Sequence, residues 1–158
     1  MNLKKDLSKD ISSISGRTGS LIERTYSVPA GFKRICFVDI DKVDISDIED
    51  NDIIRDSVED GVEKNIFIFN QEGFESFYID NLGVLYYPYY GCIETLESSN
   101  IDLAIVGEGM KGEIKTPPKE EYCRDANMSS DRDFFCNALD IMGLGYMDGC
   151  CEEYNLCC

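Results

Sequence analysis

The sequence predicts a mainly β protein. We expect an antiparallel sandwich or small barrel with one inserted short helix, an N-terminal amphipathic helix, and a small disulfide-rich helical C-terminal module. Three observations lead there. Short runs of β-branched and aromatic residues recur between turn residues from about residue 26 to residue 115. Leu3, Leu7, Ile11 and Ile14 fall at steps of four, four and three, which is helical spacing. Six of the eight cysteines crowd into the last 36 residues. The expected divisions are 1–19 for the helix and its joint, 20–116 for a β-rich head, and 117–158 for the cysteine-rich module. At 158 residues the chain is long enough to bury a core of its own.

Taken in order, the N-terminal stripe is narrow, backed by Lys, Asp and Ser, and suits one packing partner. Ser15, Gly16, Thr18 and Gly19 end it. Tyr26–Val28 is a short extended piece stopped by Pro29 and Gly31. Phe32–Ile40, FKRICFVDI, reads as a buried strand because β-branched and aromatic residues dominate it. Residues 46–60, SDIEDNDIIRDSVED, predict a short helix capped by Ser46, with acidic residues in its first turn and Gly61 at its stop. Ile48, Ile54 and Val58 face the core in that reading. Strands follow at Asn65–Phe69 and Ser76–Asp80, then a turn at 81–83. Val84–Tyr90 contains Pro88, which confines it to an edge or a loop. Cys92–Leu96 and Ile101–Val106 are strands, and the glycines of GEGMKG turn the chain into a last return at Glu113–Lys115.

Thr116, Pro117 and Pro118 mark a boundary. Beyond it, Ser130 caps a helix expected over 131–142. The cysteines are spaced C-x12-C-x13-CC-x5-CC: Cys123, Cys136, Cys150, Cys151, Cys157 and Cys158. Neighbouring cysteines point in different directions, so each naturally takes its own partner. Three disulfides would staple the module, with fifteen possible pairings. A loop of about fifteen residues closed this way contributes roughly 3 kcal/mol in the chain-entropy model. The competing uses are a thiolate metal site and redox-active thiols; against the metal, no C-x2-C knuckle is present, and vicinal ligands on one tetrahedral ion strain the backbone. Cys36 and Cys92 each sit inside an expected strand. A cross-sheet disulfide is one reading, and two separate buried thiols the other.

Fifteen basic residues stand against thirty-one acidic ones, a net charge of −16. Such a field repels DNA, RNA and anionic membranes. Histidine is absent, which removes the commonest general base and metal ligand. Asp39, Asp41, Asp44, Asp47, Glu49, Asp50 and Asp52 form an acidic run. As a calcium loop starting at Asp39, it would need glycine at position six and glutamate at position twelve. It has Asp44 and Asp50 there, so a solvated acidic helix and leading turn is expected instead. GEGMKG matches neither phosphate-loop pattern and precedes a strand, so its glycines are read as hairpin glycines. No G-x-S-x-G elbow occurs. No catalytic, cofactor or metal residue is assigned.

Cysteine crowding points to an oxidising compartment, yet MNLKKDLSKDISSISG has no apolar leader core. The expectation is a leader or anchor missing from this chain. Two other readings stay open: an intracellular protein with reduced or metal-bound thiols, and a disulfide-tolerant hyperthermophile cytosol.

The stretch VPAGFKRICFVD, the later GCIETLESSNIDLAIVGEG and the CC-x5-CC ending resemble uncharacterised archaeal surface proteins. In those, a pilin-like hydrophobic N-terminal helix leads into a β-rich head. The likeness covers about residues 20–158 and departs where the hydrophobic helix would be. It implies cell-surface display or filament assembly, with the Leu3–Ile14 stripe as the exposed continuation of such a helix. The expected function is therefore a non-enzymatic extracellular or cell-surface protein, a pilin-like or adhesive component. It would take a protein partner or self-associate, bind no nucleic acid, and meet a membrane only through the missing anchor. The alternatives are a secreted disulfide-rich inhibitor and a thiolate metal-binding protein.

Overall fold

Residues 3–94 and 99–116 are described by the computed structural model. The chain divides after Thr116, so Cys123, Cys136, Cys150, Cys151, Cys157, Cys158 and the helix expected over 131–142 lie outside the described residues. The elements are α1 (Leu3–Ile14), β1 (Leu21–Ser27), β2 (Phe32–Val38), a 3-10 turn (Ile45–Asp47), α2 (Asp52–Glu59), β3 (Ile66–Asn70), β4 (Phe74–Phe77), β5 (Leu82–Val84), β6 (Tyr90–Glu94), β7 (Asn100–Glu108) and β8 (Lys111–Ile114). They make a mainly β fold of two four-stranded sheets, ordered β4-β3-β2-β6 and β1-β7-β8-β5. The first is antiparallel throughout. The second departs from the all-antiparallel expectation: β5 runs parallel to β8, with Leu82, Gly83 and Val84 opposite Gly112, Glu113 and Ile114. This pairing is possible because the chain leaves for the other sheet as β6 and returns through β7 before reaching β8.

One core joins α1 to a face of each sheet. Leu3, Leu7, Ile11 and Ile14 pack with Tyr26, Leu103, Ile105 and Ile114 of the mixed sheet and with Ile35, Phe37, Ile66 and Ile68 of the antiparallel sheet. Each such side chain, fully buried, contributes roughly 1.5–3 kcal/mol. The opposite face of the antiparallel sheet has a second core of Cys36, Val38, Phe67 and Tyr90 under Ile48 and Ile54. Burial on both faces explains the unbroken apolar run of β2. β7 is buried on one face only, and it alternates accordingly.

Several boundaries move for identifiable reasons. The single helix expected over 46–60 is two elements with their own caps. Asp44 accepts from the Ser46 N–H at 2.9 Å and starts the 3-10 turn. The Asn51 side chain accepts from the Ile54 N–H at 3.1 Å and starts α2. Ser46 is therefore not the cap, although Ile48 and Ile54 are buried and Val58 packs beside them. The strand expected to run to Asp80 ends at Phe77 because the Asn65 carboxamide takes over from the ladder. It donates to the Ile79 carbonyl at 2.8 Å and accepts from the Ile79 N–H at 2.9 Å. The Pro88 segment is a turn carrying a cis Tyr87–Pro88 bond, with Tyr89 at φ 64°. Of the hairpin glycines only Gly109 sits at the turn; Gly107 and Gly112 pair with each other in the ladder, and the return strand starts earlier, at Lys111. Gly109 turns at φ 55°, and Gly107 passes so close to α1's exit that a β-carbon there would lie 2.3 Å from the Arg17 carbonyl.

Candidate functional site

The chemistry-bearing groups gather where β2 ends beside β8. Asp39 directly follows β2, and its side chain is fully buried. Oδ1 accepts from the Lys111 ammonium at 2.7 Å and from the Asp41 N–H at 3.2 Å. Oδ2 has no hydrogen-bond partner. Lys111 opens β8, and its Nζ also lies 2.8 Å from Asp41 Oδ2. Two residues along the same strand face, Glu113 is buried and accepts from Lys42 Nζ at 2.7 Å. Gly83 of β5 makes the close packing possible. A β-carbon there would stand 3.0 Å from Asp39 Oδ2, 3.0 Å from Glu113 Cγ and 3.2 Å from Lys111 Cδ.

Three carboxylates and two ammonium groups thus interlock at one place. Hydrogen bonding to Glu113 raises the Lys42 pKa above its ordinary value. Burial pulls Lys111 downward, but its hydrogen bonds to Asp39 and Asp41 outweigh that and raise it overall. The solvated acidic run read from the sequence is corrected at its first member. Asp39 belongs to a buried ion pair, because Lys111, 72 residues away, neutralises it. Asp44, Glu49, Asp50 and Asp52 are exposed, and Asp47 is half-buried. Among the described residues, no group of three or more carboxylate, cysteine or histidine side chains is arranged to hold a metal ion.

A tyrosine rim adjoins the cluster. Lys42 Nζ lies 5.3 Å from the Tyr89 ring centre, and Tyr89 meets Tyr87 edge to face at 6.0 Å. The exposed Tyr87 donates to Asp47 at 2.8 Å. Buried Tyr90 reaches Asp50, and its phenol is pushed up to about 12 by burial and by that carboxylate. The acidic loop and the β5–β6 turn are fastened together in this way.

Cys36 and Cys92 are joined by a disulfide, with Cα atoms 4.0 Å apart. They stand directly opposite each other on β2 and β6. The bridge therefore lies within the antiparallel sheet, which corrects the expectation of a bridge between sheets. It also lies inside the second core, where Cys36 is fully buried. A second polar contact fixes α1: Asp10 Oδ2 accepts from the Tyr26 hydroxyl at 2.6 Å and from Arg24 at 2.9 Å.

Sequence reasoning did not single out Lys42, Lys111, Glu113, or the Asp10–Arg24–Tyr26 contact. Asp10 had a signal: it lies three residues after Leu7 and four before Ile14, a charge on the apolar stripe. Lys111 and Glu113 had none, since alternating charges in a short strand read equally well as a solvated face. Among the described residues, no helix is long and apolar enough to cross a membrane. No family model, curated protein or solved structure matches the chain.

Proposed function

We propose that the chain is a non-enzymatic, extracytoplasmic surface protein, a small β sandwich that acts as an adhesive or pilin-like head through protein contact or self-association. The observation that carries the reading is the Cys36–Cys92 bridge, set between neighbouring strands inside a packed core. Such a bond persists in oxidising compartments and is rare in reducing cytosol. The charge of −16 supports it, because it disfavours nucleic acid and anionic lipid as partners. The α1 stripe is consumed by the core. Partner contacts therefore fall to exposed groups such as Tyr87 and the acidic loop beneath it.

The test is a membrane-impermeant amine label applied to intact cells of the source organism, followed by peptide mass analysis. Lysines of this chain should carry the label without lysis. Labelling that appears only after lysis would overturn the extracytoplasmic reading.

A further inference from the structure

We propose that Lys111 and Asp39 condense into an intramolecular isopeptide bond, which ties β8 of one sheet covalently to the end of β2 in the other. The inference stands on the buried cluster alone and does not depend on where the protein resides. Three features of one place point to it. The Lys111 amine is held 2.7 Å from a fully buried carboxylate. A second carboxylate, Asp41, lies 2.8 Å from the same nitrogen on its solvent side, being 71% exposed. Asp39 Oδ2 is buried without a hydrogen-bond partner. No metal explains that orphaned oxygen, since ammonium groups already occupy the cluster, and no anion would enter among three carboxylates.

An ion pair is itself unreactive, because an ammonium has no lone pair and a carboxylate is a poor electrophile. Lys111 is held mainly as its ammonium by Asp39 and Asp41, so the reaction runs through the minor neutral form of the pair. One ammonium proton passes to the Asp39 carboxyl and leaves a neutral amine beside a neutral acid. The nitrogen lone pair attacks Asp39 Cγ, forming the C–N bond. Asp41 accepts a second proton from the nitrogen and returns it to the departing oxygen. That oxygen leaves with both protons as water as its C–O bond breaks. An ammonium and a carboxylate become an amide and one water, with no change of oxidation state and no co-reactant. Oδ1, already hydrogen-bonded to the Lys111 nitrogen at 2.7 Å, receives the protons and is the oxygen that leaves. Oδ2, buried without a hydrogen-bond partner, stays as the amide oxygen. Groups held at this range react with effective concentrations of about 10⁵–10⁸ M in well-oriented systems. Lys42 and Glu113 are the natural internal comparison. Lys42 is more exposed than Lys111, 41% against 23%, and Glu113 is its one ion-pair partner among the described residues.

The test is the intact mass of the full chain, folded, then denatured, fully reduced and alkylated. We expect a species one water lighter than the alkylated sequence, and a branched proteolytic peptide joining Lys111 to Asp39. Lys111→Arg and Asp39→Ala should restore the full mass, and Asp41→Asn should slow formation of the lighter species at least tenfold. Asp39→Asn preserves size and should give the same branch with loss of ammonia. The wild-type mass decides the matter even if a variant fails to fold. Full mass in the wild type, or a water loss mapped to any other pair, overturns the proposal.

Discussion

Replacing Cys36 and Cys92 together by alanine removes one cross-link and leaves the remaining six cysteines untouched, which reductant cannot do. The two residues are 56 apart in sequence. The chain-entropy relation then gives about 4 kcal/mol of stabilisation, acting by restricting the unfolded chain. A covalent link between Asp39 and Lys111 would shorten the loop and bring the figure toward about 3 kcal/mol on the same relation. With a urea slope of about 1–3 kcal/mol/M for a small domain, the midpoint should fall by more than about 1 M. The slope itself should rise, because the released unfolded chain exposes more surface. Urea titration followed by the β-sheet circular dichroism signal measures both. A loss below about 1 kcal/mol with an unchanged slope would refute the reasoning. It would mean that the unfolded chain stays compact around these two residues without the bridge.

Other substitutions probe the rest of the fold. Leu7→Ala, at a fully buried position on α1, should destabilise by about 2–5 kcal/mol in the same titration; a negligible change would show that α1 is dispensable to the core. Gly107→Ala drives a methyl into the Arg17 carbonyl and should destabilise by about 1–3 kcal/mol. Gly73→Ala, with nothing within 4 Å of the new methyl, should be near neutral in parallel thermal melts. Burial, then the bond to Asp10, raises the Tyr26 phenol above its ordinary value of 10.0, and Tyr90 is likewise pushed up to about 12. The unfolded chain releases these protons near pH 10 while the folded chain keeps them. Stability is therefore undiminished below that pH and falls as pH rises toward the folded-state values. Tyr26→Phe should flatten this alkaline slope in urea midpoints measured against pH.

What the sequence made legible follows from how local each signal is. β2, β3 and β7 were found because burial demands β-branched and aromatic residues along the strand itself. β1 was found only at its Tyr26 end. Most of Leu21–Arg24 is exposed, so composition there carries little sign of a strand. The break between the 3-10 turn and α2 was readable in principle from Asp44 and Asn51, two cap residues in one acidic run, but Ser46 competed for the same role. The bridge between Cys36 and Cys92 was one of two open readings, and its placement within a sheet depended on strand order, which spacing does not encode. The Asp39 cluster was the least legible. Its meaning depends on Lys111 arriving from 72 residues away through a parallel pairing of β5 with β8, and a long-range charge pair leaves no periodic trace.

The central claim is that this protein lives stapled in an oxidising compartment, and counting thiols in material isolated from its natural source tests it most directly. The protein is denatured in the presence of an alkylating agent and without reductant, then digested and mapped by mass. Cys36 and Cys92 should remain unalkylated and appear as one disulfide-linked peptide pair. Recovery of both residues fully alkylated would contradict the account.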